Sequence, residues 1–273
     1  MCQYCREHHP ELWFYDPKRH PDQGTVVDRF LNNVVYPVMI ESSLETLAKK
    51  RRRGVEGWNA VSASFLDLFA RAVGGFQVVL PDEARKIVEL ANELILVECS
   101  CQRHLSPDPP EMKCISMNNA ARATADTDRR YEEISKGEAL ELLSARREVF
   151  GDFHSIGWKA PVQVTWLCNC GEYCGGLDMY EQIPWGMIPS WAVAALYAED
   201  DCEGCGDCVA ACHTGAIQMG EHYPEIDGDR CLGCGLCVDT CPNGALGYAP
   251  RDRIFHPPSR RMIDLSTKDV IRV

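Results

Sequence analysis

Residues 202–212 (CEGCGDCVAAC) and 231–241 (CLGCGLCVDTC) place eight cysteines in two copies of one spacing, C-x2-C-x2-C-x3-C. The members are Cys202, Cys205, Cys208 and Cys212, then Cys231, Cys234, Cys237 and Cys241, with Pro242 following. A cubic [4Fe–4S] cluster needs four thiolates converging tetrahedrally, one on each iron. Three cysteines at x2 spacing on a tight loop wrap three corners, and the fourth comes from further along the chain. Zinc sites set two pairs apart, whereas here four cysteines crowd into each run. The spacing therefore points to two clusters rather than to structural zinc or a disulfide framework.

The two runs also form an internal repeat. CEGCGDCVAACHTGAI aligns with CLGCGLCVDTCPNGAL without a gap, keeping Gly204 with Gly233, Gly206 with Gly235 and Val209 with Val238. Gly215-Ala216 matches Gly244-Ala245 in the same way. The glycines let backbone amides approach inorganic sulfide without interference from a Cβ. After each run a short helix is expected to lead through Gly-Ala into a strand at Ile217 or Leu246. Residues 198–250 resemble the bacterial two-cluster ferredoxins, departing at His213, where that family usually has proline. The resemblance implies that the last cysteine of each run serves the other cluster. One cluster then takes Cys202, Cys205, Cys208 and Cys241, and the other takes Cys231, Cys234, Cys237 and Cys212.

The chain has 273 residues, 45% of them apolar, which suffices for about two domains with globular cores. No run of about 18 apolar residues exists to span a bilayer, and no secretory signal opens the chain. Sixteen cysteines in such a chain fit metal ligation in a reducing, cytoplasmic compartment better than secreted disulfides. A net charge of −12 argues against a nucleic-acid partner. Acid gathers around the repeat at Glu199, Asp200, Asp201, Glu203, Asp207, Glu221, Glu225, Asp227 and Asp229. Such charge is either ordinary solvated surface or a docking face for a basic redox partner protein.

Patterning predicts an α+β protein in four parts. Residues 1–75 read as a helical N-terminal region, with helices over 26–53, interrupted at Pro37, and over 61–73. Residues 76–197 read as a small mixed α/β middle domain. It holds a short strand at 76–80, a helix from Pro81 to about Leu96 and a proline-rich loop over 105–130. A capping box at Ser135 and Glu138 then starts a helix ending near Gly151, and a strand follows at 162–168. The ferredoxin-like module takes 198–250. Residues 251–273 form a tail whose basic RDRIFHPPSRR stretch is read as an extended arm.

Six cysteines fall in the middle region: Cys99, Cys101, Cys114, Cys168, Cys170 and Cys174. Each group sits at the end of an apolar segment, so the chains could converge on one site. FQVVLPDEARKIVELA, CSCQR, Cys114, ISKGEALELL and CNCGEYC occur in that order. Over roughly 75–250 this is similar to a wider family of anaerobe iron–sulfur proteins with a C-terminal ferredoxin module. The chain departs from that pattern at Gln102, ahead of Arg103, and at Gly171, where a third adjacent cysteine is often seen. The resemblance implies electron transfer alongside larger redox enzymes. The six thiols leave open a third [4Fe–4S] cluster, structural zinc, a cluster with a free corner for substrate, or buried cysteines acting as small hydrophobes.

Cys2 and Cys5, with His8 and His9, have the spacing of half a zinc site and nothing adjacent to complete it. The chain has no nucleotide-binding glycine motif and no defensible nucleophile–base constellation. The expected activity is one-electron transfer, as a carrier or as a subunit of an anaerobic oxidoreductase complex rather than a stand-alone catalyst. The alternatives are an enzyme with the 99–174 site as active centre, and a redox-sensing regulator reading DNA through the N-terminal helices.

Overall fold

A computed structural model describes residues 36–54, 60–72, 74–118, 120–121, 129–159, 163–180, 187–256 and 261–264. The architecture is mixed α/β, with a cysteine-rich module at the C-terminal end. Among the described residues two helices come first, α1 (Tyr36–Arg52) and α2 (Ala60–Ala72). The last turn of α1 carries Lys49, Lys50, Arg51 and Arg52 against the negative helix end. Residues 26–35 of the expected first helix lie outside the described residues, as do Cys2, Cys5, His8 and His9.

The middle region is built on one seven-stranded sheet. Its strands are β1 (Gly74–Val79), β2 (Leu94–Glu98), β3 (Met112–Met117), β4 (Tyr131–Glu133), β5 (Phe153–Lys159), β6 (Gln163–Cys170) and β7 (Met187–Ile188). They lie in the order β4-β2-β3-β6-β5-β1-β7. Among these pairs β1 and β7 run parallel, and the others are antiparallel. Helices α3 (Pro81–Leu90) and α5 (Lys136–Phe150) flank a short α4 (Ser100–Leu105) in chain order. Ala84, Ile87 and Val88 of α3 and Ala139 and Leu143 of α5 pack with Val79, Leu94, Ile115, Ile156 and Leu167 of the sheet.

Three expectations change here. The helix from Pro81 stops at Leu90, because Ala91 turns extended and the Asn118 side chain accepts from the Asn92 N–H at 2.9 Å. LILVE then forms β2, buried on both faces between β3 and β4, where a short apolar run has no period to separate it from helix. Residues 112–117 of the expected loop form β3, a largely buried inner strand. Strand β5 carries His154, Ser155 and Gly157 and so shows little apolar alternation.

The C-terminal module holds β8 (Ala192–Leu196), α7 (Asp207–Ala210), β9 (Ile217–Met219), β10 (Pro224–Ile226), α8 (Leu236–Asp239) and β11 (Leu246–Pro250); α6 (Gly175–Tyr180) precedes β7. β9 pairs with β10, and β8 pairs antiparallel with β11. The second pairing runs across the boundary expected at residue 198. Each short helix contains the third cysteine of its run, so it starts within the run rather than after it. Part of the basic stretch forms an antiparallel hairpin, Arg253–His256 with Arg261–Asp264.

The capping box stands as read. Ser135 Oγ accepts from the Glu138 N–H at 3.2 Å, and Glu138 Oε2 accepts from the Ser135 N–H at 2.7 Å. Gly151 closes the helix at φ 65°. Ser135→Ala removes one of these caps and should cost about 1 kcal/mol. A lower urea midpoint at unchanged slope would register that loss.

Candidate metal centres

The two runs fold into loops related as their sequences are. Gly204 and Gly233 adopt φ of 66° and 65°, and Gly206 and Gly235 adopt 83° and 77°. Left-handed backbone at these matched positions bends each loop so that its first three thiols face inward, which a Cβ would oppose. Each loop then enters its one-turn helix.

The first cavity encloses about 370 Å³, its mouth included, and is lined by Cys202, Cys205, Cys208 and Cys241. Asp201, Glu203, Met219, Pro242 and Asn243 also border it. Cys205 is exposed, so this is the outer site. Burial opposes the Cys241 thiolate. The backbone amides of Ala245, Leu246, Asn243 and Gly244 outweigh that and hold this thiol below its ordinary pKa. Burial pushes the Cys208 thiol up.

The second cavity, of about 390 Å³ counted in the same way, is lined by Cys212, Cys231, Cys234 and Cys237. Phe153 of the seven-stranded sheet lies in its wall, so this is the inner site. Burial raises the Cys234 thiol to about 11 and pushes Cys237 higher still. The Gly233 N–H donates to Cys231 Sγ at 3.4 Å. Each cavity thus draws three cysteines from one run and the last cysteine of the other. Four soft donors, none in a disulfide, converging on one cavity are the donor set a cubane cluster takes.

The module is docked through its inner site. With Nε2 protonated, His213 donates to Gly151 O at 3.1 Å, and its ring lies 5.9 Å from that of Phe153. The residue that replaces the usual proline therefore ties the first run to the end of α5. Arg147 of the same helix pairs with Asp239 and donates from Nη2 to Cys234 O at 3.0 Å. Arg251 donates from Nε to Ser190 O at 2.8 Å and from Nη2 to Cys231 O. No local signal in the sequence marks Arg147 or Arg251 as a partner of a cysteine loop: one lies within the helix after the capping box and the other in the basic RDRIFHPPSRR stretch.

The six middle cysteines come together at one end of the sheet. β2 delivers Cys99 to the start of α4, which carries Cys101. The β3–β6 register sets Ile115 against Leu167 and so brings Cys114 beside Cys168. Cys170 ends β6, and Cys174 leads into α6. The free thiols act on one another, Cys99 with Cys101 and Cys114, Cys114 also with Cys168, and Cys170 with Cys174, so their proton affinities move in opposed pairs. Cys99 and Cys174 fall below the ordinary value, whereas Cys101, Cys114 and Cys170 rise above it. Ser155 Oγ adds a contact to Cys170 Sγ at 3.3 Å.

Close packing seals this site. A Cβ on Gly175 would strike the Leu44 side chain of α1 and come within 3.4 Å of Cys101 Sγ. At Gly171 the space for a Cβ is filled by the Asp152 carboxylate, which leaves no room for a further cysteine. Asp152 pairs with Lys113 Nζ at 3.3 Å and Arg146 Nη2 at 2.5 Å. Burial opposes the Lys113 charge, but Asp152, Cys99 and Cys114 together raise its pKa. Gln102, at the other departure, holds the loop by exchanging bonds with Glu111: its Nε2 donates to Oε2 and its Oε1 accepts from the backbone N–H, both at 2.9 Å. Among the described residues, no three His, Cys, Asp or Glu side chains form a ready-made site for a single ion.

Residues 201–245 match the family of 4Fe–4S dicluster domains. The chain therefore carries a 4Fe–4S ferredoxin-type domain at its C-terminal end. A comparison with curated proteins gives no match.

Gly233 and Gly204 share a backbone conformation but not surroundings. A Cβ on Gly233 would collide with Ala192 O, whereas on Gly204 the nearest atom would be His222 O at 3.8 Å. Gly204→Ala should cost about 1–2 kcal/mol from the left-handed conformation. Gly233→Ala should cost clearly more, because backbone must move; paired urea unfolding curves of the two variants measure the difference.

Proposed function

We propose that the protein is an iron–sulfur electron-transfer protein that works as a subunit or partner of a larger oxidoreductase. The observation that carries this reading is the pair of cavities, each lined by four cysteines in the crossed arrangement that the ferredoxin resemblance implies. Cys202, Cys205, Cys208 and Cys241 would hold one cubane, and Cys212, Cys231, Cys234 and Cys237 the other. Each cluster, when bound, takes up and releases a single electron without bond making. The chain's own part is to hold the two sites side by side and to supply amide and guanidinium donors around the inner one.

The six-thiol site is proposed as a third metal centre. Cys170 and Cys174 pack in one apolar cluster with Leu232, Leu236 and Cys234 of the inner run. A third [4Fe–4S] cluster there would lie on the same route as the other two, whereas zinc would hold the sheet end together and move no electrons. Burial of Cys99, Cys114, Cys170 and Cys174 favours a relay or a structural role over a substrate-binding corner. Iron, sulfide and zinc analysis of protein prepared without air tests these readings. About twelve irons would establish three cubanes, about eight with zinc would establish two, and a colourless protein without iron would refute the function. Cys241→Ala should then strip the outer site and spare the inner, and EPR of the reduced protein reads which signal is lost.

The partner would be a redox protein with a basic face. Glu199, Asp200, Asp201, Glu203 and Asp207 are exposed beside the outer site, whereas Asp227 is engaged in a turn through the Asp229 and Arg230 N–H groups. Among the described residues no helix is long and apolar enough to cross a membrane. Reversing two charges, Asp201→Lys with Glu203→Lys, should slow electron exchange with a cationic redox protein by tenfold or more at low salt. Stopped-flow rates should converge with wild type as ionic strength rises, because screening removes the steering.

A further inference from the structure

The two runs match position for position, so their ligands alone give the outer and inner sites no reason to differ. Their surroundings do differ. Carboxylate residues Asp201 and Glu203 border the outer cavity, and no acidic residue lines the inner one. Instead, two guanidinium groups bond the carbonyls of inner-run cysteines, Arg147 at Cys234 and Arg251 at Cys231. Arg251 also grips Ser190 O and Gly228 O, which makes it a clamp on the loop. Arg147 comes from α5, outside the module. Its side chain is only 6% exposed, while its counter-ion Asp239 is 43% exposed and screened by water. Its Nη1 is buried with no hydrogen-bond partner, a donor left over at the edge of a site built for sulfur.

We propose that Arg147 sets the electron affinity of the inner site, raising its reduction potential above that which the same four thiolates would give without it. The proposal rests on the dicluster reading. An added electron makes the site one unit more negative. A buried cation favours that state strongly, because little water intervenes, and an exposed carboxylate opposes it only weakly. The step biased is a bare electron exchange: one electron leaves the outer site and enters the inner, with no proton and no bond change, after a low-potential one-electron donor has charged the outer site. Because Arg147 is a positioning and tuning residue from the upstream domain, the inner site has this potential only while the module is docked on α5.

Protein-film voltammetry of the full chain, with its clusters in place, tests the idea. Arg147→Gln keeps a donor for Cys234 O but loses the charge. One of the two cluster waves should move to more negative potential by at least about 59 mV, a tenfold change in the one-electron equilibrium, and the other should stay. Arg147→Lys should restore most of the shift, and Asp239→Asn should move the same wave the opposite way. Waves that stay fixed in all three variants, or that move together, would overturn the role of Arg147. Wild-type protein without two cluster waves would instead overturn the dicluster reading, and this proposal with it.

Discussion

The crossing of the last cysteines is the constraint from which the C-terminal module follows. Because Cys212 lines the cavity of the second run and Cys241 that of the first, neither site is complete on its own loop. The two loops must face each other at close range, and the link between them must turn back. The hairpin of β9 and β10 makes that turn, and β8 and β11 hold the outer ends together. Ala194, Cys208, Ile217, Cys231, Cys237 and Leu246 form the small core that results, so cysteine sulfur is itself part of the packing. A module this small has little other apolar area to bury.

The upstream sheet meets the module at the inner site rather than at a neutral surface. His213 and Arg251 spend their hydrogen bonds on backbone carbonyls, and Arg147 bonds the Cys234 carbonyl as well as the Asp239 carboxylate. On the sheet side, the buried charges of Lys113 and Arg146 are answered by Asp152 and Glu111. A buried cation without such a partner would be strongly destabilising. The same helix, α5, therefore offers Arg146 to the sheet network and Arg147 to the cysteine loop.

How much of this was legible beforehand depended on whether the signal was local. The repeat, the capping box and the glycine at the end of α5 are local rules, and each reads directly. β2 and β3 carry no strand signal in the sequence because inner strands lose the alternation that marks a half-buried one, and LILVE continues smoothly from a helical segment. β5 was invisible for the opposite reason, its polar residues being buried by partners far off in sequence, as His154 is by Asn169 at 2.9 Å. The six middle cysteines sit at segment ends, which is why the sequence suggests that they share a site. The approach of Leu44 to Gly175, and the loss of space at Gly171 to Asp152, require the tertiary fold.

The β8 strand carries a consequence for how the module can be separated from the rest. Ser190 donates its N–H to Leu232 O at 2.9 Å and its hydroxyl to Gly233 O at 2.7 Å, and β8 then pairs along the whole of β11. The segment preceding the cysteines thus acts as a strap buckled over the second loop. A fragment excised just ahead of the first cysteine would leave that loop unlaced and one sheet edge bare. Genetic shuffling that moved the cysteine runs intact would therefore have had to carry the strap with them.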